Sequence, residues 1–348
     1  MKRFLEESIK RFFSFFGLNI SRACDYKIGD FKILDEFVDS SGNSFQRLSG
    51  YREKIWPIDW KLMNQSRAKP NLGFVLKSGR INQALNEVTE MEKLIQIYDY
   101  TLFGKKVLEV GCFSGANTYT IAKLGAAHVD GIDVVSHFIN PPEKINDRSI
   151  QKAADWLNKF RETTAQTISS DKNIIQKVNF VDFDIREFSR EDYYDLIVSW
   201  QTFEHILGPD KAMQVMYKAL KPNGICYHKY HPFFCLSGAH FDTMDFPWGH
   251  IRLNSQDFRN YIKMYRQNDY DIAMWRFFET LNRMTLANLQ VFAAKAGFQI
   301  LALICPPEIE LIHDIDQVLF SQCKSLYPTI TISDLISSSV TILLRKPN

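Results

Sequence analysis

Residues 106–115 read KVLEVGCFSG: an apolar run, then Gly111, then Gly115 where a helix is expected to open. A tight turn after a parallel strand calls for a residue without a Cβ, and so does close approach of backbone to a ligand. The helix start beyond it offers unpaired N–H groups and the positive end of a dipole. The GxxxG spacing departs from the GxGxxG of dinucleotide sites, and Glu109 stands just before the first glycine. A carboxylate there would repel a pyrophosphate and suits a ligand carrying an ammonium or sulfonium. Asp133, eighteen residues past Gly115, closes the run VDGID. An acid at the tip of the second strand of an α/β domain is where ribose hydroxyls are gripped.

A second concentration of chemistry lies further on. Five of the eight histidines fall between 205 and 250: His205, His228, His231, His240 and His250. Histidine is the side chain best poised for proton transfer near neutral pH. Those from 228 onward follow the carboxyl end of a fifth strand, where α/β folds bind ligands. His231, His240 and His250 are therefore candidates for a general base or for hydrogen bonding to a substrate, with structural hydrogen bonding as the alternative. His205 reads as structural or pocket-lining. His228, His231, His240, Asp242, Asp245 and His250 offer metal-ligand chemistry. The HxxH pair, however, would sit on a strand and its exit rather than on one helix face as in HExxH, and no metal is expected. The run 245–250, DFPWGH, reads either as a lid with Trp248 free to stack on a ring, or as a packing turn.

These groups need a frame. From residue 105 short apolar runs alternate with helical segments, which implies βαβ units and a parallel sheet. The runs are 107–110, 128–132, 178–183, 195–199, 224–230, 298–304 and 338–344, with helices expected over 82–102 and 286–296 and starting near Gly115, Pro141, Gln201 and Lys211. The expected fold is α/β, a Rossmann-like doubly wound, mostly parallel seven-stranded sheet. Residues 1–80 form an N-terminal helical and irregular extension, 81–348 the sheet domain, and 231–285 a lid-like insertion after the fifth strand. Within 1–20, Leu5, Ile9, Phe12 and Phe16 recur at helical spacing among Lys2, Arg3, Lys10 and Arg11. That pattern makes an amphipathic helix whose apolar face docks on its own domain or on a membrane surface.

With strands and motifs in phase, the chain resembles the class I S-adenosylmethionine-dependent methyltransferases, in the ubiquinone-biosynthesis-like, type 11 or type 12, branch. The resemblance continues in order through 180–188 (FVDFDIREF), 194–206 (YDLIVSWQTFEHI, with its Glu-His pair), 220–225 (LKPNGI) and 286–300 ending in Ala-Gly-Phe. It implies S-adenosylmethionine as cofactor, with Glu109, Gly111, Cys112, Ser114 and Gly115 around its methionine end. Asp133 would hold the ribose and Val134 pack on the adenine, Asp184 would reach the exocyclic amine beside Ile185, and Ser199 and Trp200 would close the pocket. Three departures stand out: the bulky Cys112-Phe113-Ser114 loop, a longer 133–184 segment with an extra helix over 149–164, and Asn223 where glycine is usual. Asn tolerates the left-handed turn needed there.

Composition narrows the partners. The 348 residues are 45% hydrophobic and 24% charged, the make-up of a globular protein with a core. Lys+Arg at 42 against Asp+Glu at 40 lacks the basic excess of a nucleic-acid surface. Ser199-Trp200-Gln201-Thr202 also replaces the Asn/Asp-Pro-Pro-Tyr of DNA adenine methylation. Six scattered cysteines without CxxC signal neither a disulfide framework nor a zinc ribbon, which fits a reduced, cytoplasmic compartment. Apolar runs are too short to span a bilayer, leaving peripheral contact at the inner membrane face through residues 1–20. The expected reaction is methyl transfer, at oxygen, to a small-molecule, glycan or lipid-linked acceptor. The alternative is a non-catalytic binding protein on the same fold.

Overall fold

A computed structural model describes residues 28–55, 80–139, 144–169 and 171–348. The amphipathic segment 1–20 lies outside the described residues. So do the expected helix start at Pro141 and most of 56–80.

Near-continuous apolar runs make strands buried on both faces, the signature of a parallel sheet covered by helices. The strands are β1 (Ile33–Val38), β2 (Ser44–Leu48), β3 (Lys106–Val110), β4 (His128–Asp133), β5 (Val178–Asp182), β6 (Tyr194–Trp200), β7 (Leu220–Tyr230), β8 (Gln299–Ile304) and β9 (Val340–Arg345). Seven form one sheet in the order β5-β4-β3-β6-β7-β9-β8. The pairings from β5 through β7 are parallel, and β9 runs antiparallel between β7 and β8. The chain leaves β3 toward one edge and returns at β6 to build the other. The carboxyl end of β3 is thus the switch point where doubly wound sheets hold ligands. Asn223, inside the turn that opens β7, has φ 63, as its substitution for glycine required.

The longer helices are α1 (Arg80–Gln96), α2 (Ala116–Lys123), α3 (Asp147–Ile168), α4 (Pro209–Ala219), α5 (Ser255–Tyr265), α6 (Tyr270–Glu279), α7 (Leu286–Ala296) and α8 (Gln317–Leu326). The extra helix expected over 149–164 is α3, started by an Asn146–Ser149 capping box. No long helix starts at Gln201. A single 3-10 turn, Phe203–His205, follows β6, and α4 begins only at Pro209 after Gly208 at φ 80. The helix expected to reach residue 102 stops at Gln96.

Four apolar clusters form among the described residues. One lies between the sheet and its helices, and includes Leu108, Ile132, Ile197, Met213 and Leu289. A second joins the β1–β2 hairpin to the insertion and to residues 311–336, with Phe45, Trp248, Phe258 and Leu335 all buried. The 231–285 segment is therefore no loose flap: it shares a core with chain from both its amino- and carboxyl-terminal sides. Trp248 is 1% exposed and its Nε1 donates to the Leu335 carbonyl. It packs rather than stacking on a ligand. Among the described residues, no helix is long and apolar enough to cross a membrane.

Candidate active site

At the end of β3 the chain turns through Gly111, whose amide donates to the Ile132 carbonyl at 2.8 Å on the neighbouring strand. Gly111 (φ 76), Phe113 (φ 38) and Gly115 (φ 73) all hold left-handed backbone. Phe113 is the costly one, since a bulky residue there is an outlier that its surroundings must impose. Two groups impose it. The Phe113 amide donates to Asp133 Oδ2 at 2.7 Å, and its carbonyl accepts from Arg161 Nε of α3 at 2.9 Å. Arg161 is buried, lies 4.4 Å above the Phe180 ring and reaches Cys112 Sγ. The extra helix thus fastens the loop from behind. Arg161→Gln is expected to cost about 1.5–3 kcal/mol, the range for a charge-assisted bond in a buried site, read as a lower urea midpoint at unchanged slope.

Asp133 stands at the tip of β4, facing the loop. Its Oδ1 accepts from the Val134 amide at 2.9 Å. Burial raises its pKa, against the two amides, Arg161 and His137, which favour the charged form. Each oxygen has one strong amide bond and keeps lone-pair capacity for a further donor. Asp182, one strand over, caps the turn after β4 through the Val135 amide. Asp184 instead lies on the cavity wall, where Arg186 grips its carboxylate with a fork at 2.5–3.0 Å and holds it below the usual range despite partial burial.

Gly111, Asp133, Val134, Asp184 and Ile185 converge on one cavity of about 480 Å³. The aromatic rings of Phe113 and Phe138 stack at 5.3 Å on its wall, with Phe183 nearby. The rest of the wall comes from the turn after β6 (Gln201, Thr202, His205) and from α6 and the residue after it (Trp275, Arg276, Thr280). Arg276 is held by Asp242 at 2.9 Å.

Other sequence candidates lie outside that lining. Glu109 is buried behind the loop and accepts from Thr118 of α2, and burial pushes its pKa up to about 8. Cys112 and Ser114 are buried within the loop, and Gly115 abuts Phe180 and Tyr119. Ser199 bonds His228 Nδ1 at 2.8 Å and Trp200 packs on Tyr227, both in the interior. The two residues after the strand end, Gln201 and Thr202, reach the cavity in their place. His231 is tied to the Ser338 carbonyl at 2.6 Å and to Ser237 at 3.0 Å. His250 bonds the Phe233 carbonyl at 2.9 Å, and burial pushes its pKa down to about 3. His240 sits one ring behind the wall, 5.2 Å from His205. Of the five histidines in this stretch, His205 is the one on the wall.

Sequence reasoning missed Arg161, Gln201, Thr202 and the α6 face. The signal available for α6 was a polar pair, Arg276 and Glu279, within an aromatic stretch.

The cavity fits a sulfonium nucleoside. It pairs an acid able to take ribose hydroxyls with apolar and aromatic faces for a base, and Gly111 lets the bend pack directly against Thr202, where a Cβ would clash.

A family model described as "Methyltransferase domain" matches residues 84–303. Among curated relatives, the ubiquinone biosynthesis O-methyltransferase of Actinobacillus pleuropneumoniae serotype 7 is 28% identical over 126 residues, 36% of this chain and 45% of that protein. Its namesake from Shewanella sp. (strain ANA-3) is 29% identical over 126 residues, 36% and 43% respectively. The chain thus spans less than half the length of the curated relatives it matches. Among solved structures, an S-adenosylmethionine dependent methyltransferase from Mesorhizobium loti overlays at TM-score 0.40, with 13% identity over 70% of this chain and 92% of that one. A SAM-dependent methyltransferase from Methanosarcina mazei gives TM-score 0.40 and 16% identity, over 72% and 96%.

Proposed function

This chain belongs to the methyltransferase-domain family, and from that premise we propose that it transfers the methyl group of S-adenosylmethionine to an oxygen of a small-molecule, glycan or lipid-linked acceptor. The observation that carries the reading is the convergence of Gly111, Asp133 and Asp184 on a single cavity at the switch point of the sheet. When bound, the cofactor supplies a methyl group already activated by positive sulfur. The protein's own task is then to bind, orient and exclude water, and orientation alone can supply roughly 7–11 kcal/mol through effective concentration.

Asp133 takes the ribose hydroxyls, since its two amide bonds fix the carboxylate facing the cavity. Val134, Phe183 and Ile185 offer apolar surface to the base, and Asp184 stands at the same end. The wall from Gln201 to His205, closed by α6, receives the acceptor. The α6 residues come from the insertion, so a change in the insertion alters acceptor choice without altering the cofactor end. Proton removal from an acceptor hydroxyl belongs to the His205 corner of this wall. The oxygen assignment draws support from the relatives named as O-methyltransferases.

Calorimetric titration tests the reading. S-adenosylmethionine should bind one per chain, while NAD gives no heat. Asp133→Ala should weaken the first titration at least tenfold, because a carboxylate on two hydroxyls contributes about 1.5–3 kcal/mol through charge-assisted bonds. Unchanged affinity in a variant with a native circular dichroism spectrum would overturn the ribose role. Absence of binding by the unaltered chain would overturn methyl transfer itself.

A further inference from the structure

We propose that Glu204, His205 and His240 form a binding site for a divalent transition-metal ion of the zinc class, which fastens the insertion to the turn after β6.

One ligand atom from each of the three residues lies within 4.8 Å of the others. Metal–ligand distances of about 2.0–2.2 Å ask for separations of roughly 4 Å or less, so small side-chain adjustments bring the three onto one ion. Glu204 and His205 belong to the Phe203–His205 turn of the sheet domain, and His240 to the insertion.

Each residue adds its own observation. Glu204 is 1% exposed; one carboxylate oxygen accepts from the His231 amide at 3.4 Å, and Oε2 has no hydrogen-bond partner among the described residues. A buried carboxylate oxygen left this way is costly, and an ion is among the few things that account for one. His205 Nδ1 lies 2.7 Å from the Thr280 carbonyl. A carbonyl can only accept, so Nδ1 carries a proton, and the tautomer this favours leaves Nε2 as the ligand atom. Outer-shell carbonyls fix metal-ligating histidines in this way. His240 holds φ 54, a left-handed backbone that persists only where surrounding structure enforces it.

His231, whose ring also lies 5.2 Å from that of His240, is not a fourth ligand, because Ser338 and Ser237 occupy its two nitrogens. The Arg276 charge nearby is met by Asp242. Two imidazoles and one carboxylate match zinc and its neighbours, whereas calcium and magnesium take all-oxygen shells. Three protein ligands leave a coordination position open, as in catalytic rather than structural zinc sites. His205 lines the cavity, which puts that position beside the acceptor wall. There a cation lowers the pKa of a coordinated hydroxyl. This role rests on the methyl-transfer reading; the site itself does not.

The test uses the untagged full chain, stripped with a chelator and titrated with Co2+ in the absence of S-adenosylmethionine. One equivalent should bind, with a visible absorption band that Zn2+ abolishes, and Zn2+ should raise the Tm. Glu204→Gln, His205→Gln and His240→Gln should each weaken Co2+ binding at least tenfold. His128→Gln, at the start of β4, should leave it unchanged. No band, or a band with the same midpoint in every folded variant of the three, overturns the site. Should a variant fail to fold, zinc-edge anomalous scattering from Zn2+-soaked crystals of the unaltered chain decides. A peak between the three side chains supports the site, and a peak elsewhere or none overturns it. Failure here leaves cofactor binding untouched, because that is read in a separate titration.

Discussion

Gly111→Ala is expected to destabilise the protein by about 2–5 kcal/mol and to weaken S-adenosylmethionine binding at least a hundredfold. Two effects add. At φ 76 an L-residue pays about 1–2 kcal/mol for left-handed backbone. The new Cβ would also fall 2.1 Å from Thr202 Oγ1 and 2.3 Å from its Cγ2, and overpacking of this kind costs about 1–3 kcal/mol. Thr202 cannot swing aside without loss, because its hydroxyl donates to the Trp200 carbonyl at 3.0 Å. Both residues line the cavity side by side, so whichever yields changes the space a cofactor needs. The two effects separate in a double variant. Thr202→Gly removes the clash and leaves the backbone strain, so Gly111→Ala should cost about 1–3 kcal/mol less in the Thr202→Gly background than alone. Urea denaturation of the four proteins measures this, and strict additivity would mean the contact is not what holds the loop and turn apart.

What the sequence disclosed of this site, and what it concealed, follows the range of the forces involved. The runs at 107–110, 128–132 and 195–199 are legible because a parallel strand buried on both faces is mostly apolar rather than alternating. Gly111 and Asp133 are legible because a bend after a strand and an acid at the next strand's tip are local requirements. Ser199 and Trp200 were assigned to the pocket because a sequence gives the strand but not where it ends; β6 runs through Trp200, and the cavity starts at Gln201. Arg161 had no local signal at all. It acts on a loop 48 residues earlier in the chain, through a helix that departs from the family pattern. The histidines of the insertion mislead for a related reason. His231 and His250 find their partners in the Ser338 and Phe233 carbonyls, contacts that exist only once the second core has assembled. His205 faces the cavity because the 3-10 turn after β6 replaces the helix that the sequence implied.

Glu109 carries the second large expectation, a fall in stability with rising pH that Glu109→Gln abolishes. The carboxyl is 2% exposed. Burial raises its pKa to about 8 from an ordinary 4.5, although the Thr118 hydrogen bond and the Arg80 charge pull the other way. The folded chain therefore keeps one proton across the window from pH 4.5 to 8 that the unfolded chain releases. Stability falls with pH wherever the native state binds more protons. The contribution is thus fully present below pH 4.5, declines through the window and is gone above pH 8. At about 1.4 kcal/mol per pKa unit, the loss is on the order of 3–5 kcal/mol. Glutamine has the shape of the neutral acid and accepts the same Thr118 bond, so at pH 5 the variant should match the parent closely. By pH 8 it should be the more stable of the two by that amount. Urea midpoints at pH 5, 6, 7 and 8 give the difference directly. A flat difference would mean Glu109 is ionised in the folded protein at neutral pH, as its sequence position beside a cationic ligand first implied. A rising one means the loop rests on a neutral hydrogen bond from Thr118 to a protonated Glu109.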